Sequence, residues 1–141
     1  MDRKAKAQWR GDLRSGTGTI SSNSGVLSNT PYSFRDRFEN GPNTNPEELL
    51  AAAHAACFSM ALSLMLQNES LKADSIETTC TITLDKEGDG FAIKRSHLAL
   101  TAKIPGASQD AFHRATQAAK EGCPVSKLFD TEITLDARLS E

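Results

Sequence analysis

Cysteine is scarce: the chain of 141 residues holds three, Cys57, Cys80 and Cys123. A small odd count excludes a disulfide scaffold and leaves open one working pair plus one spare. Charge of one sign is also missing. Sixteen Lys and Arg against 18 Asp and Glu leave a net charge of −2, which excludes a strongly basic nucleic-acid binder and a long acidic tail. Apolar residues are lean at 38%, so the chain has little apolar excess for the one domain that its length allows. There is no Cys-x-x-Cys, no Gly-rich phosphate loop, no His-Glu-x-x-His and no Gly-x-Ser-x-Gly. No apolar stretch follows the charged start Met1-Asp-Arg-Lys-Ala-Lys, so a secretory signal is not expected and the cytoplasm is. In that compartment a cysteine pair is more often catalytic or redox-active than structural.

What is present falls into two styles of pattern. Residues 1–45 are rich in Gly, Ser, Thr and Asn and carry short β-like runs at 5–9, 18–21 and 32–38, which predicts a meander of short strands. In the third run Arg35 and Arg37 would share a strand face. Asn45 then reads as a helix cap, Pro46 suits the first helical position, and Glu47 and Glu48 suit the positive end of the helix dipole. From residue 49 to 66 only His54, Cys57, Ser59 and Ser63 interrupt an apolar run. Such a run spans about 27 Å as a helix. Without flanking Lys/Arg clusters it reads as a central buried helix rather than a membrane span, and burying it fully asks for a second subunit.

Residues 76–84 alternate, with Ile76, Thr78, Cys80, Ile82 and Leu84 on one face and Thr79, Thr81 and Thr83 on the other. A hairpin turn at 86–90 leads to a second long strand at 91–104, bulged because its apolar residues change face midway. Ser108 caps a helix from Gln109 to about Lys120, Cys123-Pro124 opens a short helical turn, and Ile133, Leu135, Ala137 and Leu139 mark a last strand. The expected class is α+β with an antiparallel sheet, as one domain over residues 1–141.

Four residues invite chemistry, each with a plainer reading beside it. Cys57, mid-helix among alanines, reads as a small buried hydrophobe or as a reactive thiol. His54, three residues earlier on the same face, packs, polarises the thiol or ligates a metal with it. Cys123 lies at a helix start, where free N–H groups favour a thiolate. Arg37, between aromatics, is either a solvated cation or a guanidinium aimed into a site, and spacing alone leaves that open. Cys80, on the apolar face of a strand, reads as core.

The run Asn45-Pro-Glu-Glu-Leu-Leu-Ala-Ala-Ala-His-Ala-Ala-Cys-Phe-Ser-Met60 resembles the signature of the OsmC/Ohr family, and Gly122-Cys-Pro-Val-Ser126 resembles its second cysteine motif. Trp9-Arg-Gly-Asp12, Ser24-Gly-Val-Leu27, Arg37-Phe-Glu39 and Glu132-Ile-Thr-Leu-Asp136 fit in the same order, so the resemblance covers essentially the whole chain. The Ala-His-Ala-Ala-Cys-Phe form points to the OsmC branch. One departure is Asn40-Gly41, where the family usually places Gly directly after the Glu.

The resemblance implies an intertwined homodimer with two interfacial sites. It implies a thiol-dependent peroxidase for organic hydroperoxides, acting more weakly on hydrogen peroxide, with no metal or flavin; charge balance and the buried-helix reading predict no nucleic-acid or membrane partner. An external dithiol or lipoyl-type protein would be the reductant, and the branch name suggests osmotic and oxidative stress as the setting. By motif position Cys57 would attack, Cys123 would resolve, Arg37 would activate the thiol and Glu47 would orient Arg37. Phe58, Met60 and Phe38 would supply an apolar lining for bulky peroxides. Helix-start logic alone would instead make Cys123 the low-pKa thiol; the full charge of Arg37 outweighs a dipole of about half a charge.

Glu47 and Cys57 are ten residues apart, about 15 Å of rise on one straight helix. Either that helix breaks near residues 51–54, or Glu47 and Arg37 reach Cys57 from a partner chain, which is the arrangement expected here. Three competing readings remain: a non-enzymatic dimeric stress or ligand-binding protein, a metal site of His54, Cys57 and Cys123, and a Cys–His hydrolase using Cys57 with His113 or His54.

Overall fold

Alternation along the middle of the chain produces the longest strand pair of the structure, a computed structural model that describes all residues 1–141. The order of elements is β1 (Ala5–Arg10), β2 (Thr17–Ser22), β3 (Thr30–Tyr32), α1 (Phe34–Phe38), α2 (Pro46–Asn68), β4 (Ser75–Glu87), β5 (Gly90–Lys103), α3 (Gln109–Gly122), α4 (Pro124–Leu128) and β6 (Glu132–Ser140). They form two compact units, Met1–Leu49 and Leu50–Glu141, with α2 starting in the first and continuing into the second.

In the first unit β1, β2 and β3 make the expected antiparallel meander. Gly18 lies under the Trp9 and Tyr32 rings, whose centroids are 5.4 Å apart, and a methyl group there would run into both. The third β-like run does not continue as a strand. After Tyr32 the chain turns into α1, because the Ser33 hydroxyl accepts from the Asp36 amide and caps a short helix. Arg35 and Arg37 therefore do not share a strand face.

In the second unit β4 and β5 pair antiparallel along their full length, with a bulge where Thr83 opposes Arg95 and Leu84 opposes Ile93. The skipped residue, Lys94, shifts β5 by one position, as its change of apolar face predicts. The last strand corrects the antiparallel expectation. β6 runs parallel to β5, from Arg95 opposite Glu132 to Lys103 opposite Ser140, so the sheet β4-β5-β6 is mixed. The physical reason is the connection: α3 and α4 carry the chain back to the start of β5, which makes a parallel return possible where a tight turn would force an antiparallel one. Alternation reveals which face a residue takes and not the direction of the strand.

The core of this unit lies between one face of the sheet and two helices. Leu98, Leu100 and Ala102 of β5 meet Phe58, Leu62 and Leu66 of α2 and Phe112, Ala115 and Ala119 of α3. On α2 the buried residues are His54, Phe58, Leu62 and Leu66, a single stripe at four-residue steps. The expected central buried helix is thus buried on one stripe only within the chain. On another side Ala53, Ala56, Met60 and Leu64 are exposed, Met60 to 77%. By length and composition this one helix would suffice to cross a bilayer. Its buried stripe makes it the core helix of a packed unit.

Candidate active site

Cys57 and Cys123 meet. Cys57 sits on α2, one step before the buried Phe58, and Cys123 lies where α3 ends and α4 begins. Ser108 starts α3 by accepting from the Ala111 amide, and the chain leaves that helix at Cys123, with Pro124 in the first turn of α4. The Cys123 thiol is fully buried, whereas Cys57 is half-buried. Burial pushes the Cys57 thiol above its ordinary pKa, and its hydrogen bond with Cys123 pushes the same way. The backbone N–H of Val125, in the first turn of α4, donates to the Cys57 sulfur and opposes both. The sequence logic that assigned the helix-start N–H groups to Cys123 is corrected here. Cys123 makes no side-chain cap bond to α4, and the free amide serves the other sulfur. None of the three cysteines is joined in a disulfide. Cys80 packs against the core, as expected.

His54 is completely buried, and both ring nitrogens are taken. Nδ1 meets the Ser96 hydroxyl at 2.6 Å and Nε2 meets the Ser126 hydroxyl at 2.8 Å. Burial holds its pKa below the ordinary value, so the ring is neutral near pH 7. This arrangement disfavours the metal and hydrolase readings: the imidazole has no nitrogen left for a metal or for Cys57. His113, the other candidate base, faces outward on α3.

In the first unit Arg37 and Glu47 form a forked ion pair. Arg37 Nε donates at 3.2 Å to both carboxylate oxygens of Glu47, and one terminal nitrogen reaches Oε1 at 2.7 Å. The two-point geometry fixes the plane of the guanidinium, as a lysine could not. Asn45 connects the two short stretches that carry the pair. Its side-chain oxygen caps α2 by accepting from the Glu48 amide, and its NH2 donates to the Asp36 carbonyl of α1.

Asp36, which drew no attention in the sequence, organises this bend. Its carboxylate accepts from the Ser33 hydroxyl at 2.6 Å and from the Asn43 amide at 2.9 Å, and these bonds hold its pKa below the usual range. The available signal was Ser-x-x-Asp at 33–36, a helix-start pattern. Gly41 packs directly on it: a methyl group there would lie 2.8 Å from both the Cα and N of Asp36. The Asn40-Gly41 departure therefore places the glycine where the bend needs it. Gly41→Ala is expected to cost about 1–3 kcal/mol as an overpacking defect, measured by urea unfolding; an unchanged midpoint would show that the bend yields.

Beside Arg37 lies an apolar pocket of about 280 Å³ lined by Trp9, Leu13, Tyr32, Phe34, Phe38 and Pro46 among others. Of the lining expected for bulky peroxides, only Phe38 is in it. Phe58 is fully buried in the core and Met60 faces outward. A larger depression of about 460 Å³, beside Ser63, Gln67 and Leu71, holds none of the cysteines. The structure thus brings the four expected residues together as two pairs, Cys57 with Cys123 and Arg37 with Glu47, each pair within one unit.

Known proteins similar to this chain identify its family. A family model described as OsmC-like protein matches residues 39–138. A protein named peroxiredoxin OsmC from Escherichia coli (strain K12) is 50% identical over 139 residues, which is 99% of this chain and 97% of that protein. An organic hydroperoxide resistance protein-like relative from Staphylococcus aureus is 34% identical over 101 residues, 71% of each chain. Among solved structures, the organic hydroperoxide resistance protein OhrB of Bacillus subtilis superposes with a TM-score of 0.68 at 28% identity, covering 97% of this chain and 98% of that one. An OsmC-like protein from Vibrio cholerae has a TM-score of 0.77 at 17% identity, with 97% and 99% covered, a likeness of fold.

Proposed function

The chain belongs to the OsmC family and is a peroxidase, and we propose that it reduces organic hydroperoxides with Cys57 as nucleophile and Cys123 as resolving thiol. The observation that carries this reading is the contact of these two thiols, distant in sequence, with the Val125 amide aimed at Cys57. A peroxidase needs a thiolate to attack and a second thiol to stop the oxidation, and this pair provides both.

The cycle runs in three balanced steps. The Cys57 thiolate attacks the terminal oxygen of R–O–O–H; the O–O bond breaks, Cys57 becomes a sulfenic acid, and the departing alkoxide takes a proton to become the alcohol. Cys123 then attacks the sulfenic sulfur, forming the disulfide and releasing water. An external dithiol, small or lipoyl-type, returns both cysteines to thiols by exchange and leaves as its own disulfide. That last step suits the reducing cytoplasm.

Within the chain, burial and Cys123 hold the Cys57 proton on, so the reading requires a further positive charge. Glu47 and Cys57 are ten residues apart, about 15 Å of rise on one straight helix. We therefore assign activation to the partner's Arg37, oriented by the partner's Glu47, in a homodimer. The exposed stripe Ala53, Ala56, Met60 and Leu64 would be covered at its interface. The apolar pocket beside Arg37 would take the organic part of the substrate, with the guanidinium stabilising the leaving alkoxide.

The test is steady-state consumption of cumene hydroperoxide and of hydrogen peroxide with dithiothreitol as reductant. Cumene hydroperoxide is expected to be the faster substrate by roughly 10–100-fold, the scale of a few buried apolar contacts. Equal rates would remove the pocket from the account. Absence of turnover with both would remove the peroxidase reading in favour of a dimeric ligand-binding protein.

A further inference from the structure

Two hydrogen bonds join α4 to α2, and only one of them ends on a reacting atom. The Val125 amide donates to the Cys57 sulfur. One residue further on, the Ser126 hydroxyl meets Nε2 of His54 at 2.8 Å. His54 stands one turn before Cys57 on the same side of α2. The first bond cannot survive the cycle unchanged, because the sulfur that accepts it becomes a sulfenic sulfur and then half of a disulfide. The second ends on no atom that the cycle changes.

The imidazole that makes this second bond is anchored independently. Its Nδ1 meets the Ser96 hydroxyl of β5 at 2.6 Å, and Ser96 in turn meets the Cys80 sulfur at 3.2 Å. The Phe129 ring, just beyond α4, stands edge-on to it at 5.0 Å. A neutral imidazole donates from one nitrogen and accepts at the other, and a hydroxyl does either, so both contacts are satisfied whichever way the protons point. His54 thus connects the sheet, α2 and α4 through one rigid ring with no buried polar atom left over.

We propose that His54, acting through Ser126, is a positioning residue for the resolving step: it keeps α4, and with it Cys123, seated on Cys57 while the Cys57 sulfur is oxidised. The proposal rests on the reading that Cys57 is oxidised and Cys123 resolves it. Disulfide closure requires the Cys123 sulfur to approach the sulfenic sulfur in line, and a misplacement of about 1 Å costs on the order of 10²-fold. If α4 loosens, the sulfenic acid persists. A second hydroperoxide then oxidises it to the sulfinic acid, releasing another alcohol, and the chain leaves the cycle.

The experiment is a single turnover with one equivalent of cumene hydroperoxide per chain, followed by mass spectrometry with and without a 1,3-dione sulfenic-acid trap. In Ser126→Ala, sulfenic acid is expected to form within about threefold of the wild-type rate, while disulfide closure slows roughly 10–100-fold and excess hydroperoxide yields sulfinic acid. Ser126→Thr keeps the hydroxyl and restores closure. Ser96→Ala, which frees the other side of the ring without touching α4, slows closure in the same direction. Closure at the wild-type rate in both alanine variants overturns the proposal. So does equal slowing of both steps without rescue by threonine, the pattern of a merely structural role. A wild-type protein that loses no thiols to one equivalent of hydroperoxide instead overturns the two-cysteine reading beneath it.

Discussion

Cys57→Ser is expected to bring hydroperoxide consumption down to background, a loss on the order of 10⁴-fold or more, because it removes the proposed nucleophile. Cys123→Ser should behave differently. It keeps the attacking thiol and the Val125 amide, so one equivalent of hydroperoxide is consumed per chain and Cys57 stops as a sulfenic acid, which the 1,3-dione captures. Dithiothreitol can still reduce that species directly, so slow turnover with rapid over-oxidation is the steady-state signature. The contrast decides the roles. The two thiols are in contact and the amide that favours a thiolate is bound to Cys57. A result in which Cys57→Ser retains the single turnover and Cys123→Ser abolishes it would exchange nucleophile and resolver.

Mixed dimers are expected to recover activity that neither parent has. In the proposed cycle Arg37→Met removes the charge and the donor assigned to the departing oxygen, an expected loss of roughly 10²–10³-fold by analogy with removal of one oxyanion donor. It should also raise the pH midpoint for alkylation of Cys57. Homodimers of Arg37→Met and of Cys57→Ser are both defective. In a mixed dimer, the intact Cys57 of the Arg37→Met chain faces the intact Arg37 of the Cys57→Ser chain. One of two equivalent sites is then whole, and about half of the wild-type rate returns. If each chain instead built its site alone, mixing would recover nothing. The ten-residue spacing of Glu47 and Cys57, about 15 Å on a straight helix, makes the first outcome the expected one.

Features encoded by neighbouring residues were legible in the sequence. Asn45-Pro46 and Ser108 mark helix starts, and each makes its cap bond. Alternation marks β4, and the change of apolar face in β5 marks its bulge at Lys94. Misreadings arose where composition competed with a short local bond. Phe34-Arg-Asp-Arg-Phe38 has the aromatic content of a strand, and one serine hydroxyl at Ser33 turns it into a helix. Features that depend on distant residues left no trace. The direction of β6 is set by the path of α3 and α4. The bond partners of His54 lie on β5 and α4, far along the chain, and serines in those places look like any others. The pairing of Cys57 with Cys123 was implied by motif position. The amide that serves Cys57 was not, because a helix-start argument looks at the residue on the helix and not at the one facing it.

The parallel return that places Cys123 between α3 and α4 has a bearing on how the molecule is born. A ribosome makes Cys57 before β4, β5 and α3 exist, and Cys123 emerges only after all three. At about 5–20 residues per second, the nascent chain carries Cys57 for roughly 3–13 seconds before Cys123 has been synthesised. Throughout that interval the Ser126 hydroxyl and the Val125 amide are also still to come. The unfinished chain therefore holds Cys57 without either partner, the Cys123 thiol and the Val125 amide, that it has in the folded unit.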